Sequence, residues 1–156
     1  MDRRSFLKTG VGAASLTLAA PYIARAAVTT LRFAHFADEN HPANIAAKQF
    51  AANVEKRTNG ALKIAIFPNN QLGGPPEQAQ QIKLGTIDMG LPTQGQLDKY
   101  DKVFAAMELP FIFNGPEEAF PILDGPTMDW FRPLAEKQGF VLLRNWEYGF
   151  RNVTNS

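Results

Sequence analysis

"LRFAHFADENHPANIAAKQFAANVEKRTNGALKIAIF", residues 31–67, is the stretch that decides the fold. Its opening "LRFAHF" alternates and ends in aromatic and polar residues, which predicts a strand. After the turn-prone "ADENHP", the Ala-rich run from Ala43 to Arg57 puts Ala46, Phe50 and Val54 on one helical face. Pro42 suits the first turn of that helix and Asn59-Gly60 suits its stop. "ALKIAIF" (61–67) is then a second strand by its β-branched content. Beyond the loop "PNNQLGGPP" lies a short predicted helix, Glu77 to Leu84, closed by Gly85, and "TIDMGLP" (86–92) is a third strand. Strand, helix, strand, helix, strand with single-helix crossovers predicts an α/β lobe, a mostly parallel sheet with helices on its faces.

The rest of the chain is less regular. Residues 94–116 hold an apolar cluster, Met107 to Phe113, broken by Pro110, and read as loop, short helix and buried turn with Phe111 and Phe113 in the core. Asp124-Gly125-Pro126 opens a helical stretch that runs to about Gln138, is stopped by Gly139 and is expected to kink at Pro133. "FVLLRNWEY" (140–148) is the clearest strand pattern of the second half. No internal repeat or low-complexity linker is present.

The opening of the chain, residues 1–27, differs in kind. "MDRRSFLKTGVGAASLTLAAPYIARAA" combines a basic start, an apolar run from Val11 to Ala20, a breaker at Pro21 and small residues at Ala24 and Ala26. The run is too short to span a bilayer, which favours a cleaved signal with cleavage near Ala26. Arg3-Arg4-Ser5-Phe6-Leu7-Lys8 resembles the twin-arginine (Tat) signal, whose receptor reads the arginine pair, so the Tat translocase is an expected partner and the periplasm the expected location.

Composition removes several classes of function. The formal charge is +1, but four of the 16 basic residues, Arg3, Arg4, Lys8 and Arg25, lie in that opening segment beside one acid, Asp2. The remainder is mildly acidic, with no basic stripe to neutralise a phosphate backbone, so nucleic acid is not expected as a partner. Cysteine is absent and there are two histidines. Disulfides, thiolate metal sites and a cysteine nucleophile are thereby excluded, and no metal or cofactor is expected.

In an open α/β sheet, ligands sit beyond the carboxyl ends of the strands, which here means His35–Asn40, 68–74, 92–96 and 146–151. Those loops offer amides and hydroxyls at Asn69, Asn70, Gln71, Thr93, Gln94 and Gln96, and few acids or bases: His35, Asp38, Glu39, His41 and Glu147. No nucleophile elbow, zinc-protease helix or phosphate loop appears, and "QLGG" (71–74) lacks the lysine and hydroxyl of a phosphate site. Arg151 stands apart: a guanidinium grips a carboxylate with two parallel hydrogen bonds and keeps its charge when buried. Trp146, Tyr148 and Phe150 would wall such a pocket. The alternative reading of Arg151 is a solvated arginine at a strand end, and of His35 and His41 hydrogen-bonded scaffold.

The segments "NGALKIAIFPNNQLGG", "LGTIDMG", "LPFIF" and "GFRNVTNS", in that order, resemble the solute-binding proteins of tripartite ATP-independent periplasmic (TRAP) transporters, the DctP-like family. The resemblance covers residues 30–156. It implies a non-enzymatic periplasmic protein of two α/β lobes that closes on an organic acid and delivers it to the TRAP membrane subunits. It further implies that Arg151 is one of two carboxylate-binding arginines, and that Phe36, Gly74 and Thr93 occupy loops facing the ligand. The second arginine has no counterpart before Ser156. Three parts are expected: a twin-arginine signal peptide at 1–26, an α/β lobe at 27–139, and an inter-lobe strand opening a largely missing second lobe at 140–156. An aromatic, a glycine and a small hydroxyl at the three loop positions favour a compact mono- or dicarboxylate over a heavily hydroxylated acid. Two other readings stay open: a truncated fragment with no independent binding function, and a Tat-exported periplasmic enzyme, against which the lack of cysteine counts.

Overall fold

A computed structural model of the protein describes residues 27–147 and 149, apart from the side chains of Gln94, Met107 and Glu108. Residues 1–26, the expected signal segment with Arg3 and Arg4, lie outside the described residues, as do Tyr148, Phe150 and Arg151.

The predicted β-α-β-α-β order is present. Strand β1 (Thr29–Ala34) pairs in parallel with β2 (Leu62–Phe67), from Thr29 opposite Leu62 to Ala34 opposite Phe67. On its other edge β1 pairs with β3 (Met89–Gly90), Phe33 opposite Met89 and Ala34 opposite Gly90, so the sheet order is β2-β1-β3.

Helix α1 (Pro42–Arg57) matches the expectation, and its ends explain why. His41 Nδ1 accepts from the Ala43 amide at 3.1 Å, Pro42 sits in the first turn, and Lys56 and Arg57 meet the negative end of the helix dipole. Thr58 Oγ1 donates to the Val54 carbonyl at 2.8 Å and accepts from the Leu62 amide at 3.1 Å, so one hydroxyl joins the helix end to the start of β2. Helix α2 (Pro75–Leu84) begins two residues before the predicted Glu77, because Pro75 and Pro76 are tolerated in a first turn whose amides need no partner.

The two helices take opposite faces. Phe50 of α1 meets Phe33 edge-on at 6.4 Å, whereas Ile82 of α2 lies over Gly90, where an added Cβ would come within 3.0 Å of it. Phe33 and Met89 share one face and Ala34 and Gly90 the other, by the two-residue period of a strand.

Three expectations need correction. The third strand was predicted over 86–92 and is two residues long. The Asp88 carboxylate accepts from the Arg32 amide at 2.7 Å, taking a donor that a longer ladder would use, and Pro92 has no N–H to give. The helix expected to open at Asp124-Gly125-Pro126 and run to about Gln138 is present as α5 (Pro126–Lys137); before it come three elements, the short α3 (Gln94–Leu97), a 3-10 turn at Lys102–Glu108 and α4 (Pro116–Asp124), the last of which the sequence pattern did not suggest. Gly125 separates α4 from α5 at φ −110° and ψ −110°, in keeping with the bias of a pre-proline residue away from helix. α5 remains helical through Pro133 and ends, as expected, before Gly139 at φ 85°.

The buried turn is the largest departure. Phe111 is 99 % exposed at φ 63°, and Leu109 and Ile112 are exposed with it; Phe113 is half-buried. The core of this half is instead Leu97, Phe104, Phe131, Ala135 and Phe140, with Phe104 and Phe131 stacked at 5.4 Å. Residues 140–147 form no strand among the described residues. Side chains hold this extended segment instead: Asn145 Nδ2 donates to the Leu123 carbonyl at 2.8 Å, Arg144 pairs with Asp124 at 3.1 Å, and Arg132 reaches the Leu143 carbonyl at 3.5 Å.

Phe104→Ala should cost about 3–5 kcal/mol of unfolding free energy by urea denaturation. Phe111→Ala should change it by less than about 0.5 kcal/mol.

Candidate ligand-binding cleft

The residues following β1 and β3, together with the 140–147 segment, enclose a cleft of about 440 Å³. Phe33, Phe50 and Trp146 form one aromatic wall, with ring centroids 5.8 Å apart for Phe33–Trp146 and 6.3 Å for Phe50–Trp146. Leu97, Phe104 and Phe140 bring the edge of the second core to it, and Phe36 and Leu91–Thr93 add the residues just past the strands. The polar lining is sparse: Asp88, Thr93, Arg144, Asn145 and Glu147. Asp88 is engaged by Arg32, Arg144 by Asp124, and Asn145 by a backbone carbonyl. An apolar cleft with few oriented polar groups is suited to binding a small molecule.

The β1–α1 loop that carries Phe36 is tied by its own polar groups. Asp38 Oδ1 accepts from the amides of Asn40 and His41 at 2.9 and 3.0 Å, and Asn44 Nδ2 donates to the Glu39 carbonyl at 2.9 Å. Lys48 binds Glu39 at 2.6 Å and, first of several causes, holds its carboxyl below the usual range. The Phe36 ring meets His41 edge-on at 5.7 Å.

The sequence-predicted residues divide accordingly. Phe36, Thr93 and Trp146 line the cleft. Gln94 opens α3 directly after Thr93. Gly74 caps α2 and is not part of the lining; an added Cβ there would lie 2.8 Å from Glu77 Oε2. His35 is fully buried, lies off the cleft, and has its pKa lowered by burial. Arg151 lies outside the described residues. Sequence reasoning missed Phe50, Leu97, Phe104 and Phe140, which are periodic core residues with nothing local to mark them, and Arg144, whose signal was its place in an extended run toward Trp146. Among the described residues no group of three or more His, Asp or Glu is placed to hold a metal ion, and no helix is long and apolar enough to cross a membrane.

A family model for bacterial extracellular solute-binding proteins, family 7 (DctP), matches residues 33–156. The chain belongs to this family. Among curated relatives, it is 33 % identical over 130 residues to the 2,3-diketo-L-gulonate-binding periplasmic protein YiaO of Escherichia coli, covering 83 % of this chain and 40 % of YiaO. Its fold superposes on the galactonate complex of the sugar acid binding protein DctPAm from Advenella mimigardefordensis with a TM-score of 0.79 at 28 % identity, over 83 % of this chain and 42 % of that one. A TRAP periplasmic solute-binding protein from Sulfurospirillum deleyianum with bound succinate gives 0.71 at 31 %, over 80 % and 40 %. The chain therefore spans about 40 % of the length of these relatives.

If the side-chain strap fixes the cleft wall, Asn145→Ala in a Trp130→Phe background should shift Trp146 fluorescence to longer wavelength. The accompanying loss of stability should be about 1 kcal/mol, the scale of one hydrogen bond.

Proposed function

We propose that this chain serves in a TRAP transporter as a periplasmic solute-binding component that captures an organic acid and passes it to the membrane subunits. The observation that carries the reading is the apolar cleft beyond the carboxyl ends of β1 and β3, in a chain of the DctP family. Binding rather than bond-making fits it, because the cleft's described acids and bases are occupied, Asp88 by Arg32, Arg144 by Asp124 and Glu147 by the Gly149 amide, and none forms a nucleophile–base pair.

Arg151 is the proposed carboxylate clamp. It follows Trp146 by five residues, a reach of at most roughly 17 Å, and Trp146 is seated in the cleft wall. In a low-dielectric cleft a guanidinium–carboxylate pair is strengthened over its value in water. Thr93 and Gln94 would hydrogen-bond the ligand, and Phe36 and Trp146 would cover its carbon skeleton. The sparse polar lining supports a compact mono- or dicarboxylate, and relatives bind both succinate and sugar acids. Closure of two lobes on the ligand would take place about the segment beginning near residue 140, with 27–139 as the first lobe. The same proposal covers export: Arg3 and Arg4 address the chain to the Tat translocase, and cleavage near Ala26 releases it into the periplasm.

Calorimetry of the protein against succinate, malate, 2-oxo acids and galactonate tests this directly. Binding of a dicarboxylate or 2-oxo acid in preference to galactonate, weakened about 10–100-fold by Arg151→Met, is the expected result. Binding left unchanged by that substitution would remove Arg151 from the site.

A further inference from the structure

Beneath the β1–α1 loop three buried polar atoms lack a hydrogen-bond partner: Nδ1 and Nε2 of His35 and Oδ1 of Asn44. Both residues are fully buried. Leaving such atoms unpaired is costly, so their arrangement calls for a role. The Asn44 amide is oriented, because its Nδ2 already donates to the carbonyl and to Oε2 of Glu39 at 2.9 and 3.2 Å. Its oxygen is the end left for His35. The groups that favour a proton on the His35 ring are this side chain first and the Ala37 backbone next, and neither closes to hydrogen-bond geometry.

The ring sits where two loops are sewn together. The His35 amide donates to the Phe67 carbonyl at 3.1 Å, Asn70 donates back to the His35 carbonyl at 3.1 Å, and Asn69 donates to the Ala37 carbonyl at 2.8 Å. A neutral imidazole has one N–H to offer to two acceptors. An imidazolium would satisfy both, but at the cost of a charge in a fully buried position beside the Phe33 ring, 5.5 Å away. Of the charged and titratable groups around it, Glu39 favours the proton and His41 opposes it. Glu39 is engaged by Lys48 of α1, and the β2–α2 loop contributes Pro68, Asn69 and Asn70, which carry no charge.

We infer that His35 is a positioning residue for the cleft: while neutral it fixes the junction of the β1–α1 and β2–α2 loops from which Phe36 lines the cleft, and taking up a proton loosens that junction. The sign follows from burial, which holds the folded-state pKa below the ordinary 6.5. The opened form takes up its proton first as pH falls, so the junction is fully stable above about 6.5 and weakens below it.

The chain has two histidines, so His35 is identified by nuclear magnetic resonance of the ring Cε1–Hε1 pairs, with His41→Asn assigning the other. Hydrogen exchange of the Asn69 and Asn70 amides, corrected for intrinsic pH dependence, reads the junction. The expected result is a His35 midpoint below 6.5, with protection of both amides falling several-fold between pH 7.5 and 5.5, and a flat profile in His35→Gln. A midpoint at or above 6.5, or the same pH-dependent loss in His35→Gln, would overturn the inference. Should His35→Gln not fold, the unaltered chain decides, since protection that fails to track its own His35 midpoint also overturns it. The meaning of the junction for ligand rests on the carboxylate-binding reading, but both measurements are made without ligand and stand if that reading fails.

Discussion

The architecture depends on β1 having both edges paired. Its six residues align with β2 along their whole length and with β3 at the last two positions, and Phe33, Ala34 and His35 are buried as a result. A strand buried on both edges must present its two faces to two different layers. Phe33 is given to α1 and the Ala34–Gly90 face to α2. Because all three strands run parallel, their carboxyl ends share one side, and Phe36 and Thr93 arrive at the cleft together although 57 positions separate them in sequence.

Wherever the information was local, the sequence could be read. The helix α1 announces itself by Pro42, by the Ala-rich periodic face and by Asn59-Gly60, whose φ of 50° and 79° turn the chain toward β2. Thr93 lies in a loop that a topological rule selects from strand order, Phe36 was marked within such a loop by the family resemblance, and Trp146 by its place near Arg151 after a run that turns out not to be a strand. Tertiary partners decided the remainder. An apolar run such as 140–147 has strand composition, but a strand exists only with a ladder partner, and side chains of Arg132, Arg144 and Asn145 tie this run to α4 and α5 instead. The run around Phe111 has core composition, yet the core of that half is filled by Phe104 against Phe131, and no local signal distinguishes the two phenylalanines. Gly74 illustrates the same limit: a glycine beside a cleft and a glycine capping a helix look alike in sequence.

The polar inventory of the cleft has its own logic. Asp88 is consumed in shortening β3, and Arg144 and Asn145 are consumed in holding the extended segment. These groups shape the walls and are held by partners within the chain. Their engagement leaves a mostly apolar cavity in which one added cation would dominate the field.

The strap links this cleft to the α4–α5 junction mechanically. Asp124 and Leu123 end α4 just before Gly125, and each holds one residue of the segment, Arg144 and Asn145, immediately preceding Trp146. A Cβ at Gly125 would lie 2.8 Å from the Pro121 carbonyl, so the close approach that ends α4 requires a residue without one. Displacing the end of α4 would draw on Arg144 and Asn145 and, through them, on the tryptophan packed against Phe33 and Phe50. The position of the cleft wall is therefore set from two sides, by the sheet through Phe33 and by a glycine-dependent helix junction through two hydrogen-bonded side chains.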